Sequence, residues 1–94
     1  MAISGTIIQS LVPVLGTATK LGGTAINRIN LLMKNVSTNT KTFYIGSSTV
    51  TTSGATQGIP LEPGETLSID ATSKNNIYAI ASASGESLNI IEVG

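Results

Sequence analysis

The chain has 94 residues, of which 40% are hydrophobic, so it is long enough for one domain with a single modest core. Five basic and five acidic residues cancel, and the basic ones are scattered singly, which argues against nucleic-acid binding and leaves a neutral surface that favours self-association. The sequence has neither histidine nor cysteine and therefore lacks the usual general base, the commonest metal ligand, the thiol nucleophile and any disulfide.

The first 25 residues differ in composition from the rest of the chain, because Lys20 is their only charged residue and glycines interrupt their apolar runs. They form either an arm that orders on a neighbouring subunit or one or two additional strands. The apolar stretch 7–15 is interrupted by polar residues and a proline and follows no basic residue, so we predict neither a signal peptide nor a membrane span. We accordingly divide the chain into an N-terminal arm or edge strands, 1–25, and a β-sandwich domain, 26–94.

From residue 29 onward, short alternating stretches separated by turn residues predict an all-β sandwich or barrel. The stretch 29–34 alternates apolar and polar side chains, and a polar turn separates it from 42–46, so we predict that the two form a hairpin. A helical turn over 26–33 is the alternative, although nearby glycines and asparagines oppose it.

The stretch 47–58 consists mostly of Ser, Thr, Gly and Ala, with Val50 as its one large apolar residue. This composition predicts a weak edge strand with a loop, or a mobile excursion at an exposed rim. Pro63 and Gly64 then fit the two central positions of a type II turn, so the chain should change direction there before the next alternating stretch, 66–70.

Two further alternating stretches, 77–83 and 88–93, end the chain. Alanines on one side of the first stretch predict the close approach of a facing sheet. Ser84 and Gly85, between the two stretches, form a turn signal, which predicts a closing hairpin. The whole pattern predicts an all-β fold: a small antiparallel β-sandwich or partly open barrel with an N-terminal arm or extra strands.

No combination of residues in the chain indicates catalysis. Glu62, Glu65 and Glu86 lie at predicted turns, where solvated carboxylates are a simpler interpretation than a general acid and base pair. Oxygen-bearing residues at 70–76 could hold calcium, but turn-forming Asp and Asn explain them without an ion. We predict that the protein is not an enzyme and has no catalytic residue, cofactor or metal site. The glycosylation pattern at 35–37 is interpreted as chance, because no secretion signal precedes it.

Candidate contact residues come from two groups: apolar side chains of the N-terminal segment and of the polar loop, and the two tyrosines on predicted strands. They are Ile7, Leu11, Val14, Leu15, Tyr44, Val50 and Tyr78. Exposed tyrosines on a β-sandwich can stack on sugar rings, which makes a small glycan-binding module an alternative function. Covering the sandwich edge or a subunit contact is the other interpretation of the tyrosines.

Six short segments share their strand and turn patterns with small structural proteins of tailed bacteriophages, and the sequence resembles that group over about 29–94. The segments are LLMKNV at 31–36, FYIG at 43–46, VTT at 50–52, GIPL at 58–61, PGE at 63–65 and IYAIA at 77–81. The resemblance implies a virion protein, made in the cytoplasm of the host bacterium, whose compact β-sandwich carries no catalytic group.

From this resemblance we expect a capsid decoration or cement protein that stabilises the shell through contacts with the major capsid protein or other virion proteins. A component of the tail or fibre is the alternative within the same group. We also expect a small symmetric homo-oligomer, with a trimer preferred, in which binding to neighbours stabilises the small core. Neither nucleic acid nor a membrane is expected as a partner.

Overall fold

The computed structural model describes residues 7–22, 30–70 and 76–94, and these contain eight β-strands and no helix. In chain order the strands are β1 (Ile7–Val14), β2 (Thr19–Leu21), β3 (Asn30–Lys34), β4 (Phe43–Gly46), β5 (Ile59–Leu61), β6 (Thr66–Ile69), β7 (Ile77–Ala81) and β8 (Glu86–Val93). The all-β prediction is therefore confirmed. Residues 30–33, part of the alternative helical turn, lie in β3.

The strands form two antiparallel four-stranded sheets that pack against each other. Sheet A has the order β1-β8-β3-β6, and sheet B has the order β2-β7-β4-β5. β1 pairs with β8, β2 with β7, β3 with β6 and β4 with β5, as if a long two-stranded ribbon had been folded over at the β4–β5 loop and then rolled up. This is the strand order of a jelly roll, an eight-stranded form of the β-sandwich.

Successive strands lie in opposite sheets, apart from β4 and β5. Both predicted hairpins are therefore wrong: β3 pairs with β6 and β8 rather than β4, and β7 pairs with β2 and β4 rather than β8. The alternating pattern identified half-buried strands, but the burial of one face does not specify which strand lies alongside. The turn residues at 84–85 instead carry the chain from sheet B to sheet A, with Gly85 at a φ of 123° that other residues rarely adopt.

The core lies between the sheets and is built from alternate residues of the strands. Its aromatic side chain, Phe43, is opposite Ala81 on the neighbouring strand, and Ile45 is opposite Ala79. The alanines of β7 therefore place small side chains beside the large ones of β4. The buried hydrophobic residues of the core are Val14, Leu21, Leu31, Met33, Phe43, Ile45, Leu61, Ile77, Ala79, Ala81, Leu88 and Ile90.

The described part of the N-terminal segment belongs to the sandwich. β1 and β2 are outer strands of sheets A and B, and each pairs with a strand of the same chain. Val14 and Leu21 are fully buried in the core. Of the two alternatives for this segment, residues 7–21 thus form edge strands, while the boundary near 25 lies outside the described residues.

Antiparallel pairing divides the loops between the two ends of the sandwich. One end, which we call the closed end, holds the β1–β2 loop (15–18), the β3–β4 loop (35–42), the β5–β6 loop (62–65) and the β7–β8 loop (82–85). The β4–β5 loop (47–58) lies at the opposite end, together with the first residue of β1 and the last residue of β8. Between the two ends, the sandwich presents the outer faces of its two sheets.

Candidate interaction surfaces

The outer face of sheet A carries large apolar side chains, although the inner face of the same sheet already forms the core. On β1, the outward side chains include Ile7 and Leu11, each 65% exposed. Val93 is opposite Ile7, and Ile91 is opposite Leu32 on β3. We call this set of residues, Ile7, Leu11, Leu32, Ile91 and Val93, the apolar face.

A shallow concavity with a volume of about 650 Å³ lies over the apolar face. Residues from all four strands of sheet A line it: Gln9, Ser10, Leu11, Leu32, Lys34, Thr66, Asn89, Ile90 and Ile91. Lys34 is the only charged residue among these described lining residues, and its ammonium group donates a hydrogen bond to Gly64 O (3.4 Å). A concavity with this lining suits an apolar or amide-bearing partner better than a charged ligand.

Asn30 forms a polar border of the apolar face where β3 meets β6. Its side-chain amide donates hydrogen bonds to Ser68 Oγ (2.9 Å) and to Asp70 Oδ1 (2.8 Å). Asp70 was a candidate calcium ligand from the sequence, and its carboxylate here accepts this hydrogen bond. Most of that candidate site, 71–75, lies outside the described residues.

The outer face of sheet B carries both tyrosines. Tyr44 on β4 is opposite Ile80 and Pro60, and Tyr78 on β7 is opposite Gly46, two residue pairs further along. Both tyrosines are partly exposed. The structure thus brings these two candidate contact residues together as diagonal neighbours, a separation that long side chains can span. We call Tyr44, Pro60, Tyr78 and Ile80 the tyrosine face.

Two of the candidate contact residues are buried. Val14 is 0% exposed because it belongs to the inward set of β1 side chains, and Val50 is 5% exposed because the β4–β5 loop folds around it. Both residues therefore pack within this chain, which corrects their assignment as contact residues. Ile7 and Leu11 lie on the apolar face, whereas Leu15, 46% exposed, lies in the β1–β2 loop at the closed end.

The β4–β5 loop is closed by its own hydrogen bonds and does not form the edge strand that was one prediction for it. The Thr51 amide donates to Thr56 O (3.0 Å), and the Gly58 amide donates to Thr51 O (3.1 Å). Val50 packs against Gly58, where a Cβ would lie 2.6 Å from Val50 Cγ2 and 2.7 Å from Ile45 O. The loop can pack this closely against β4 only with glycine at position 58.

At the closed end, the fully buried side chain of Asn35 holds separate chain segments together. Its amide nitrogen donates to Leu61 O (2.8 Å) and Lys41 O (2.9 Å), and its Oδ1 accepts a hydrogen bond from Asn39 Nδ2 (2.8 Å). Asn39 Nδ2 also donates to Ser87 O (3.0 Å), which links the β3–β4 loop to β8. A buried amide with both of its polar atoms bonded is inaccessible to a glycosylating enzyme.

Glu86, the first residue of β8, anchors the β3–β4 loop through its carboxylate. The Thr40 amide donates to Oε2 (2.8 Å) and Oε1 (3.0 Å), the Thr40 hydroxyl donates to Oε2 (3.0 Å), and the Lys41 amide donates to Oε1 (2.7 Å). The hydrogen bond from the Thr40 amide, with further contributions from the Lys41 amide and the Thr40 hydroxyl, lowers the pKa of Glu86. No local pattern in the chain indicates this role, because the partners lie 45 and 46 positions earlier.

The remaining carboxylates serve turns and the interior. Glu62 and Glu65 flank the exposed β5–β6 turn, in which Glu65 Oε1 accepts a hydrogen bond from the Glu62 amide (2.7 Å). Gly64, at a φ of 91°, confirms the predicted type II turn. Glu92 is 1% exposed on the inner face of β8, with its carboxylate against Gly22. Among the described residues, no three acidic side chains come together as a cation site.

Comparison of the chain with known proteins gave no match to a family model, to a curated protein or to a solved structure. In the ranges 7–22, 30–70 and 76–94 we also find no helix long and apolar enough to cross a membrane. The resemblance to tailed-phage structural proteins therefore stays a prediction from the sequence.

Proposed function

We propose that this protein is a structural component of a tailed-bacteriophage virion, a decoration or cement protein that binds the shell through the apolar face. The observation that carries the proposal is the exposure of Ile7 and Leu11, 65% each, on a sheet whose other face already forms the core. An antiparallel sheet with one face in water normally alternates apolar and polar side chains, whereas a sheet covered on both faces is apolar on both. β1 and β8 carry large apolar side chains on their outward as well as their inward faces, so the outer face of sheet A is suited to being covered by another protein.

The binding energy expected from each copy is modest. Fully burying a Leu or Ile side chain contributes about 1.5–3 kcal/mol. Because Ile7 and Leu11 are each 65% exposed, covering both could contribute about 2–4 kcal/mol, partly offset by the cost of association. Weak contacts of this size become strong when a protein binds several subunits of a shell at once.

The jelly roll is used by viral capsid domains, but also by lectins and cupins, so the fold alone does not choose a function. Three features together favour the virion role: the resemblance of 29–94 to phage structural proteins, the neutral surface, and the exposed apolar face. Each is expected of a small protein that occupies many equivalent positions on a larger surface.

The proposal is tested by locating the chain in purified particles of the phage that encodes it. Quantitative mass spectrometry should find the chain in a fixed whole-number ratio to the major capsid protein, and labelled antibodies should decorate the shell in electron micrographs. Label confined to the tail would assign the tail or fibre alternative. Absence of the chain from purified particles would overturn the proposal.

A matched pair of variants tests the apolar face itself. Leu32→Asn changes an inner strand of sheet A, and Ile80→Asn makes a comparable change on an inner strand of sheet B. Both side chains are partly exposed. With shells that lack the chain, Leu32→Asn should bind about tenfold more weakly than Ile80→Asn, which corresponds to a loss of about 1.4 kcal/mol of apolar contact. Equal binding by the two variants would contradict a role for the apolar face.

A second function, glycan binding, is favoured by the tyrosine face. Tyr44 and Tyr78 lie on neighbouring strands on the same outer face, which gives two aromatic rings for stacking on sugars. On a glycan array, binding that is lost in Tyr78→Ala but retained in Ile91→Ala would support this function. Silence of the wild-type chain across a broad array would argue against it.

A further inference from the structure

The four edge strands of the sandwich are protected to different degrees. β2 and β5 have three residues each and contain Lys20 and Pro60. β6 has four residues and lies between Glu65 and Asp70. β1 has eight residues, Ile7–Val14, no charged side chain, and a proline, Pro13, that leaves its first six residues uninterrupted. Because natural sheets protect exposed edges by shortness, charge or proline, β1 is the described edge most open to pairing with another strand.

Pro13 indicates which backbone groups of β1 face the open edge. A proline within a sheet occurs where its missing N–H would point to solvent, so the backbone at Pro13, opposite Ser87, faces away from β8. The hydrogen-bonding groups of an antiparallel strand alternate between its two sides with a period of two. Ile7, Gln9 and Leu11 therefore direct their N–H and C=O groups to the open edge, and Pro13 ends the stretch that can pair.

We infer that β1 pairs in antiparallel fashion with β1 of a second copy of this chain, about a two-fold axis at Gln9. Sheet A of one copy then continues into sheet A of the other. In this register Gln9 is opposite Gln9 of the partner subunit, and Ile7 is opposite Leu11 of the partner subunit. All of these residues direct their backbone groups to the open edge, as the pairing requires. Such a two-fold contact uses the same surface on both copies and closes at two.

The outward side chains are self-complementary in this register. Ile7 and Leu11, the most exposed large hydrophobic residues of β1, meet across the axis as cross-strand neighbours and cover part of each other's surface. The two Gln9 amides lie opposite each other, where they can exchange a hydrogen bond. No like charges meet, because β1 has no charged side chain. A register centred on Leu11 would instead place Pro13 inside the ladder, where it cannot donate.

This pairing goes beyond the proposed function and does not depend on it, because it is a property of the free chain in solution. It differs from the trimer expected from the sequence, since a two-fold edge contact makes a dimer. If the virion role also holds, the dimer presents two apolar faces side by side on one continuous sheet.

Absolute mass, measured by light scattering after size exclusion, tests the contact in solution. The wild-type chain should be a dimer. Leu11→Lys places two like charges near the axis and should weaken dimerisation at least about tenfold, because charge on an edge opposes pairing. The matched control is Leu15→Lys, the same change at a 46% exposed position at the closed end, which should leave the dimer intact. Circular dichroism checks that both variants keep the β fold.

Gln9→Cys gives a positive test, because the natural chain has no cysteine. Opposed residues of a hydrogen-bonded antiparallel pair have Cα atoms about 5.5 Å apart, within the range of a disulfide. Under oxidation by diamide, Gln9→Cys should form a covalent dimer. Gln57→Cys, the same change in the exposed part of the β4–β5 loop, should not.

A monomer at all concentrations, a trimer, or a dimer that Leu11→Lys leaves intact would overturn the inference. A cross-link through Gln57→Cys without one through Gln9→Cys would also overturn it and would place the contact at the β4–β5 loop. None of these results bears on whether the chain is present in virions, which the particle analysis measures separately.

Discussion

The closed end and the apolar face both depart from the usual distribution, in which apolar side chains are buried and polar side chains are exposed. At the closed end a polar side chain, that of Asn35, is fully buried and hydrogen-bonded to three groups. On the apolar face, Ile7 and Leu11 are 65% exposed. Buried polar groups and exposed apolar patches are the informative departures from the rule that apolar residues lie inside. The first is explained by partners in the same chain, whereas the second points to a partner outside it.

The two regions serve different tasks in one small domain. The closed end joins the β3–β4 loop, the end of β5 and the start of β8, so it helps to specify how the strands are connected. The apolar face lies outside the core and is available for assembly. Substitutions at the closed end should therefore lower the free energy of unfolding, and substitutions on the apolar face should change association instead.

The largest effect is expected for Asn35→Ala. The substitution leaves Leu61 O, Lys41 O and the Asn39 amide without this partner at a buried position. Because an unsatisfied buried polar group costs about 1–3 kcal/mol, the free energy of unfolding should fall by about 2–4 kcal/mol, measured by urea denaturation. Asn89→Ala, at an exposed position, is the control and should change it by less than about 0.5 kcal/mol. If Asn35→Ala lowered the free energy of unfolding as little as Asn89→Ala does, the closed end would not have the stabilising role described here.

A smaller, pH-dependent effect is expected for Glu86→Gln. Hydrogen bonds from Thr40 and Lys41 lower the pKa of Glu86 in the folded chain from its ordinary value of 4.5. The stability that this carboxylate contributes is therefore present above that value and lost as the pH falls through the lower folded-state pKa. The urea midpoint of the wild type should exceed that of Glu86→Gln at neutral pH.

The gap between the two midpoints should shrink steadily in acid. Glu62→Gln, at the exposed β5–β6 turn, is the matched control and should follow the wild type. A gap of constant size from neutral pH to strong acid would show that the charge of Glu86 is not what holds the β3–β4 loop.

On the apolar face, the double substitution of Ile7→Thr with Leu11→Thr should change monomer stability by only about 0.5 kcal/mol. Both side chains are mostly exposed, and threonine favours strands. The fluorescence of ANS, a dye that binds exposed apolar surface, should fall in the same variant. The stability measurement is made at a dilution at which the wild type is monomeric. A loss as large as that of Asn35→Ala would mean that the apolar face is part of the fold.

The smallest effect is expected from salt. β1 has no charged side chain, and Lys34 is the only charged residue among the described residues lining the concavity. Salt screens charged contacts and not apolar ones. The dissociation constants of self-association and of shell binding should therefore change by less than about twofold as the ionic strength is raised. A steep salt dependence, measured by light scattering and by shell binding, would assign the contacts to charged residues elsewhere.

Strand positions could be predicted from the sequence, but strand pairing could not. The stretches 29–34, 66–70 and 77–83 overlap β3, β6 and β7, because a half-buried strand has a period of two whatever lies beside it. The turn at Pro63 and Gly64 was also predictable, since turn chemistry is local. The pairing depends on a topology in which most successive strands lie in opposite sheets. The alternation of apolar and polar residues along a strand does not reveal which sheet the strand joins.

The candidate surfaces were predictable only in part. β1 has apolar residues on both faces, so its pattern does not reveal whether Leu11 or Val14 faces the core, and the register with β8 decides. The burial of Val50 depends on the close approach of Gly58 from the far side of a loop. Asn35 and Glu86 gave no signal because Leu61, which accepts from Asn35, and Thr40, which donates to Glu86, lie 26 and 46 positions away and are brought near only by the complete fold.

Amide hydrogen exchange tests most directly the central claim that β1 and the apolar face serve assembly while the closed end serves the fold. The wild-type chain, at a concentration at which it is assembled, is compared with Leu11→Lys. We expect assembly to protect the amides of Ile7, Gln9 and Leu11 and to leave those of 35–42 unchanged. Added protection on the strands of sheet B, with none in β1, would contradict the claim.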